Sequence, residues 1–238
     1  MNRARGALVG AGLAVLAAIT GWANPTSAAE DEAASIARGG RLYDDWAKEI
    51  GADHLRQAER SQDKAGPRPG RCVDCHGWDY RGRDGAAHQA TGVGSAKGIG
   101  GRVGTETAAI RGVLLDETHR YRDYLSDADL TDLAFFVAKG QIAMSGMIEP
   151  ATLRAKGWAP NGNVYFQTIC ANCHGNDGQG IVDARPLGDT ARGNPWQSMH
   201  TLLNGHPNGT MPALRVLDTN TLVDILTYIQ SLPPRDLL

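Results

Sequence analysis

Two segments near residues 130 and 225 place apolar side chains at the spacing of an amphipathic helix, on the positions i, i+3, i+4 and i+7. These positions are Leu130, Leu133, Ala134 and Val137 in the first segment and Leu222, Ile225, Leu226 and Ile229 in the second. A capping residue, Ser126 or Asp218, precedes each segment, and Pro233 and Pro234 follow the second. The pattern predicts two amphipathic helices, each with one buried face.

The two helices belong to an internal repeat. Each apolar position and each cap of the first helix lies 92 residues before its counterpart in the second. Upstream, GGRLYDDW (residues 39–46) resembles NGNVYFQT (residues 161–168), which matches Tyr43 with Tyr165. A polar, Pro-containing segment (residues 47–71) follows the first of these stretches, and we interpret it as an inserted loop. The repeat predicts a mainly α fold with two similar domains.

The N-terminal apolar run, Gly6–Ala23, has a different character. Arg3 and Arg5 precede it and small residues follow it, which is typical of a secretory signal cleaved after Ala28 or Ala29. A retained membrane anchor is the alternative, because a run of about 18 residues is near the lower limit for crossing a bilayer. We therefore expect a periplasmic protein with a signal peptide (1–29), two domains (30–140 and 161–238) and a linker (141–160).

Composition and charge narrow the function classes only slightly. The formal net charge of −2 gives no basic footprint, so a nucleic-acid partner is not expected. Aromatic residues make up 6% of the chain and glycine is abundant, with 30 residues, so a cofactor is expected to supply part of the apolar bulk.

The four cysteines occur in two identical spacings, CVDCH (residues 72–76) and CANCH (residues 170–174). Disulfides, a four-cysteine zinc site or two redox dithiols are the alternatives for two CxxC pairs in an exported chain. None of the three requires the histidine that directly follows each pair. Covalent haem attachment does, because two thiols bond to one porphyrin edge and the next residue offers its imidazole to the iron.

The motifs therefore predict two haem c groups, attached through Cys72 and Cys75 and through Cys170 and Cys173. His76 and His174 are expected to bind the two irons, and each ring is expected to be oriented by a hydrogen bond from its other nitrogen.

The repeat also indicates the opposite ligands. Met211, in NGTMPAL, lies 37 residues after His174 and just before the C-terminal helix, and a thioether is a suitable haem ligand. The offset of 92 residues places His119 at the equivalent point of the first domain, 43 residues after His76. We expect His119 to be the distal ligand of the first haem and Met211 that of the second.

Further residues remain as candidates for the first haem. Met144 and Met147 lie beyond the first amphipathic helix, and the chain could return from there to the iron. His88 is a further candidate, although it lies only 12 residues after His76. The remaining histidines, His54, His200 and His206, are interpreted as surface or supporting residues.

With these motifs the chain resembles class I c-type cytochromes in tandem. The second half resembles the family throughout, in CANCH, ARPLG, GTMP and the final helix. The resemblance implies that the loop containing Pro186 accepts the hydrogen bond of His174, and that Trp196 donates to a haem propionate unless it is a core residue. The first half departs from the pattern, since no proline lies between His76 and His119 and methionine is replaced.

Two haems with different ligands favour electron transfer, because methionine raises the potential and neither iron keeps an open position. We expect the first haem, with two histidines, to have the lower potential. The expected partners are a donor dehydrogenase and an acceptor cytochrome or oxidase, with a membrane only if the N-terminal segment is retained. The alternative is a dihaem enzyme, or a dehydrogenase subunit, that oxidises a small compound such as a sulfur compound.

Overall fold

A computed structural model describes residues 25–52 and 70–234, with side chains from residue 31 onwards. The described residues do not include the predicted signal segment up to residue 24. They also do not include residues 53–69, which contain His54 and most of the polar segment that precedes Cys72. Within the described residues the chain is mainly helical, as predicted. The helices are α1 (Pro25–Glu49), α2 (Val73–His76), α3 (Ala86–Thr91), α4 (Thr107–Leu114), α5 (Asp127–Phe135), α6 (Ala159–Tyr165), α7 (Ala171–His174), α8 (Leu187–Gly193), α9 (Pro195–Asn204) and α10 (Thr219–Ser231).

Shorter elements complete the described chain. Single π-helical turns extend α5 (Phe136–Gly140) and α6 (Phe166–Cys170), and 3₁₀ turns cover Gly100–Arg102 and Tyr121–Asp123. The strands β1 (Ile148–Glu149) and β2 (Arg154–Ala155) form an antiparallel pair. No helix within residues 25–52 and 70–234 combines the length and apolar character needed to cross a membrane.

Two helix pairs organise the core, and each relies on a glycine. Helix α1 packs against α5, and α6 packs against α10. At Gly39 a Cβ atom would overlap the carbonyl group of Asp132, and at Gly162 it would overlap that of Asp224. Asp132 and Asp224 are 92 residues apart. Both crossings therefore need a residue without a side chain at the equivalent point.

Aromatic contacts at these crossings correct the sequence match by one residue. Tyr43 packs against Phe136, with ring centres 5.3 Å apart, and Phe166 packs against Tyr228 at the same separation. Tyr43 therefore corresponds to Phe166 rather than to Tyr165.

The helix caps form as predicted. The Ser126 hydroxyl accepts a hydrogen bond from the Asp129 N–H (3.2 Å), and the Asp129 carboxylate accepts one from the Ser126 N–H (2.9 Å). Asp218 accepts from the Thr221 N–H at 3.0 Å. These bonds satisfy backbone donors that have no partner inside the helix.

The segment from residue 141 to 156, called the connecting segment below, is packed on both sides. Met144 and Ile148 are buried, and the Ala155 N–H donates to the Gln230 side chain of α10 at 2.9 Å. Helix α6 begins at Ala159, two residues before the expected boundary at 161. The connecting segment separates an N-terminal half (residues 25–140) from a C-terminal half (residues 157–234).

The two halves are in direct contact. Helix α1 packs against α9, where the backbone of Gly40 meets the Asn204 side chain. The Arg215 guanidinium donates to the Gly140 carbonyl at 2.8 Å, and Arg41 donates to the Asn204 carbonyl at 3.2 Å. Side chains of both halves thus bond to main-chain groups of the other.

Candidate haem-binding sites

The first motif forms a short helix, Val73–His76, that ends at the predicted ligand His76. Cys72 is buried, and its carbonyl accepts a hydrogen bond from the His76 N–H at 2.9 Å. The Nδ1 atom of His76 lies 2.6 Å from the Lys97 carbonyl oxygen, so this nitrogen is the donor. The expected orienting hydrogen bond is therefore present at His76, and it leaves Nε2 with its lone pair for a metal.

The ring of His119 lies near that of His76, and its Nδ1 atom is likewise bonded to an oxygen acceptor. The Asp116 carboxylate accepts from the His119 N–H at 3.0 Å and lies 3.2 Å from Nδ1 of the ring. These hydrogen bonds, the backbone one first, lower the pKa of Asp116, which keeps it ionised. Nδ1 is again the bonded nitrogen and Nε2 the free one.

The ring centres of His76 and His119 are 6.2 Å apart and their planes are inclined by 21°. Two imidazoles that bind one metal from opposite sides through bonds of about 2 Å have ring centres roughly 6 Å apart. The separation therefore fits a metal between the two rings.

A cavity of about 290 Å³ surrounds this pair. Cys72, His76 and His119 line it together with apolar side chains from α4 and α5. These are Ala109, Ile110, Val113 and Leu114 of α4, Leu133 of α5 and Val137 of the π-helical turn that extends α5. One thiol, two imidazoles and apolar walls at one cavity fit a covalently bound porphyrin, although Cys75, the second predicted attachment residue, is not among the residues that line the cavity.

The methionine candidates for the first haem lie elsewhere. Met144 is buried at 2% exposure and lines a second cavity of about 690 Å³ with Ile148 and Trp196. Lys97 and Gly98 line both cavities and separate them. Neither Met144 nor Met147 is among the residues that line the first cavity, and His88 is absent there too. Of the candidates for the distal ligand, the structure brings His119 to His76.

The second motif has the same local geometry as the first. Gly77 (φ 76°, ψ 158°) and Gly175 (φ 73°, ψ 159°) follow the two histidines in nearly identical conformations. The carbonyl of His76 accepts from the Gly82 N–H at 2.8 Å, and that of His174 accepts from Gly180 at 2.7 Å.

A carboxylate also repeats in the turn after each histidine. Asp79 accepts from the Arg81 N–H at 3.2 Å, and Asp177 accepts from the Gln179 N–H at 3.0 Å. The sequence contains the signal for this turn, CHGxDxxG, in both copies, at residues 75–82 and 173–180. The repeat predicted from the sequence did not include this turn.

The expected residues of the second site all lie in the C-terminal half. Cys170 and His174 are half-buried and Cys173 is exposed. Met211 is half-buried, and its carbonyl packs so closely on Gly205 that a Cβ atom there would meet it. The Pro186 carbonyl accepts from the Thr190 N–H at 3.0 Å, at the start of α8.

The pKa shifts of His76 and His174 suit metal ligands, and the pKa shift of Cys72 does not suit a redox thiol. Burial is the largest cause and lowers the pKa of His76. The hydrogen bond to the Lys97 carbonyl raises this pKa, and the nearby His119 lowers it. Burial also lowers the pKa of His174. Both rings are then neutral, the form that binds metals. Burial raises the pKa of Cys72 to about 12, whereas a redox CxxC needs a low thiol pKa.

Neither a disulfide framework nor a four-cysteine zinc site is supported for the two CxxC pairs. All four cysteines lie in the described residues, and none of them is paired in a disulfide. Within residues 25–52 and 70–234, no three His, Cys, Asp or Glu side chains converge as a metal cluster.

Comparison with known families concerns the C-terminal half. Residues 158–229 match the family described as cytochrome c oxidase, cbb3-type, subunit III. The matched segment contains Cys170, Cys173, His174 and Met211. No curated protein matches the chain. The match supports a c-type cytochrome with covalently bound haem c, redox protein partners and a role in electron transfer.

Proposed function

We propose that this chain is a periplasmic dihaem c-type cytochrome that carries electrons between a donor dehydrogenase and an acceptor cytochrome or oxidase. The observation that carries the proposal is the pair His76 and His119, whose ring centres are 6.2 Å apart. Each ring has its Nδ1 atom bonded to an oxygen acceptor. Bound haem supplies a one-electron iron couple.

In the N-terminal half, Cys72 and Cys75 hold the porphyrin and His76 and His119 bind its iron. The Lys97 carbonyl and the Asp116 carboxylate hold the two rings in the tautomer that presents Nε2. The apolar side chains of α4 and α5 provide apolar walls for the site.

In the C-terminal half, Cys170 and Cys173 hold the second porphyrin, and His174 and Met211 bind its iron. The family match to residues 158–229 and the repeated turn after His174 support this assignment. Since the thioether raises the potential relative to a second imidazole, the first site has the lower potential. Electrons then enter at the first site and leave from the second.

Four protein ligands, two for each iron, leave no position for a substrate. This arrangement favours a carrier over a dihaem enzyme or a dehydrogenase subunit that oxidises a small compound. Addition of carbon monoxide to the reduced protein separates the two. A carrier keeps its absorption spectrum, whereas an enzyme with a displaceable ligand at the first haem shows carbon monoxide binding.

Export belongs to the same proposal and rests on the basic and apolar pattern of residues 1–29. Mass spectrometry of the purified protein tests it. The proposal expects a mature N-terminus at Ala29 or Glu30, and an intact N-terminus would indicate a retained anchor.

A further inference from the structure

His200, in the C-terminal half, is completely buried. Of the two interpretations given from the sequence, a surface residue or a supporting residue, the first is therefore wrong. Both ring nitrogens bond to the N-terminal half. Nε2 lies 2.9 Å from the Gly40 carbonyl, and Nδ1 lies 2.9 Å from the Tyr80 hydroxyl. Because a carbonyl only accepts, Nε2 is the protonated nitrogen and Nδ1 accepts from the tyrosine.

Aromatic rings of the N-terminal half enclose this imidazole. The ring centres of the four neighbours lie between 5.4 and 5.9 Å from that of His200. They belong to Tyr43, Trp78, Tyr80 and Phe136. The side chain is therefore inserted into the core of the other half and is not merely in contact with its surface.

Tyr80 has an unusual backbone conformation for a large residue, with φ at 62°. A bulky side chain in this region costs free energy that the surroundings must offset. The hydrogen bond to His200 and the burial of the ring provide such compensation. Tyr80 also accepts the N–H groups of Ile99 and Gly100, each at 2.8 Å, with its carbonyl.

Two neighbours of His200, Tyr43 and Tyr80, are also in contact with the segments that form the first site. Its neighbour Tyr43 lines the first cavity and donates its hydroxyl to the Gly77 carbonyl at 2.6 Å, directly after His76. Tyr80 lies four residues after His76, and the Ile99 N–H that it holds is two residues from the Lys97 carbonyl.

Helix α9, which carries His200, leads towards the second site. The Leu202 carbonyl accepts from the Leu214 N–H at 2.9 Å, which closes the loop containing Met211. Gly205, at the end of the helix, packs on the Met211 carbonyl. One buried side chain thus lies between the segments that hold His76 and Met211.

We propose that His200 is a positioning residue that fixes the two haem sites relative to each other and sets the geometry of both. The inference rests on the proposed function in one respect only, namely that both sites hold haem. His200 touches neither set of ligands and acts through Tyr43, Tyr80 and α9.

Burial of His200 favours the neutral ring that this role needs. The pKa of His200 is lowered to about 4, with burial as the largest cause; Asp44 and the Gly40 carbonyl oppose this shift, and Arg215 and Arg71 add to it. A protonated ring could not accept the Tyr80 hydrogen bond. At neutral pH the ring keeps both bonds.

The test compares three variants of the haem-loaded protein. His200→Leu removes both hydrogen bonds, and His200→Gln keeps one donor and one acceptor. His206→Gln is the matched control, because His206 is exposed and its contact with the described part of the other half is with Lys48, at 3.4 Å. Urea unfolding and a redox titration are recorded for each.

We expect His200→Leu to split a single unfolding transition into two and to shift the midpoint potentials of both haems. His200→Gln should restore most of both properties, and His206→Gln should leave them unchanged. A His200→Leu protein with one transition and two unchanged potentials would overturn the inference. If His200→Leu does not fold, Tyr80→Phe replaces it, and unchanged potentials in that variant count equally against the role.

A different result identifies failure of the proposed function. If the wild-type protein binds only one haem, the dihaem assignment is wrong whatever His200 does. The unfolding comparison then still decides whether His200 joins the two halves.

Discussion

At the first haem site, two oxygen acceptors decide which nitrogen of each histidine is free. The Lys97 carbonyl occupies Nδ1 of His76, and the Asp116 carboxylate occupies Nδ1 of His119. The acceptors differ in charge, because Asp116 is ionised and the carbonyl is neutral. A carboxylate makes its imidazole partner a stronger electron donor, so His119 would be the stronger donor of the two proposed ligands.

Removal of the His119 side chain should change the first haem alone. In His119→Ala we expect the first haem to become high-spin, while the sulfur-to-iron band of Met211 ligation persists. Absorption and magnetic circular dichroism spectra measure both. Met144→Ala is the control, since Met144 lines the other cavity. A high-spin first haem in Met144→Ala instead would contradict the assignment of His119.

Removal of the charge of Asp116 should raise the potential of the first haem. Asp116→Asn keeps an oxygen acceptor but makes the ligand less basic and removes a negative charge beside the oxidised iron. A redox titration measures the change, and Asp123→Asn is the control, because its carboxylate pairs with exposed Arg120. An unchanged or lower potential in Asp116→Asn would count against ligation by His119.

The sequence predicted the facing pair at the first site because helix periodicity fixed the offset of 92 residues from Met211 to His119. It could not predict the Lys97 carbonyl, since any residue offers a main-chain acceptor. The contact depends on the path of the loop from Gly82 to Gly98. A Cβ atom at Gly82 would overlap the Ala96 carbonyl, and one at Gly98 would overlap the backbone of Arg81.

At the scale of helices, the two crossings depend on Gly39 and Gly162, which the pattern of apolar positions along the chain does not identify as contact points. The caps Ser126 and Asp218 follow from local hydrogen bonding and were predicted correctly. The match of Tyr43 with Tyr165 was wrong by one residue, because the register between two helices is set by the overlap at Gly39 and Gly162. Contacts of this kind join residues far apart in the chain.

Filling the second crossing should destabilise the fold. Gly162→Ala places a methyl group on the Asp224 carbonyl, and overpacking of this kind costs about 1–3 kcal/mol. Gly112→Ala is the control, because nothing lies within 4 Å of a Cβ atom there. Urea unfolding measures both variants. A Gly162→Ala protein as stable as Gly112→Ala would show that α6 and α10 do not pack so closely.

At the scale of the whole molecule, the contact between the two halves could not be predicted from the sequence. A surface position for His200 is wrong because its partners, Gly40 and Tyr80, come from the other half. Packing between repeats leaves no periodic signal, since each copy of the repeat meets a different neighbour.

The buried His200 should make stability depend on pH. Its pKa of about 4 in the folded state is below the ordinary value of 6.5, so the unfolded chain binds more protons between these values. Stability from this group is complete above pH 6.5 and declines as the pH falls towards 4. The loss is at most about 3 kcal/mol, at 1.36 kcal/mol per unit of pKa.

Urea unfolding at several pH values measures this dependence. His200→Gln should show a weaker loss between pH 6.5 and 4, because glutamine does not titrate. An equal loss in both proteins would show that other groups cause it.

The proposed function depends above all on one chain holding two haem c groups with different axial ligands. Near-infrared magnetic circular dichroism of the oxidised protein, scaled to protein concentration, measures both axial pairs at once. We expect two charge-transfer bands of equal weight, one from bis-histidine and one from histidine–methionine ligation. A single band, or a high-spin signal in place of the bis-histidine band, would contradict the dihaem assignment.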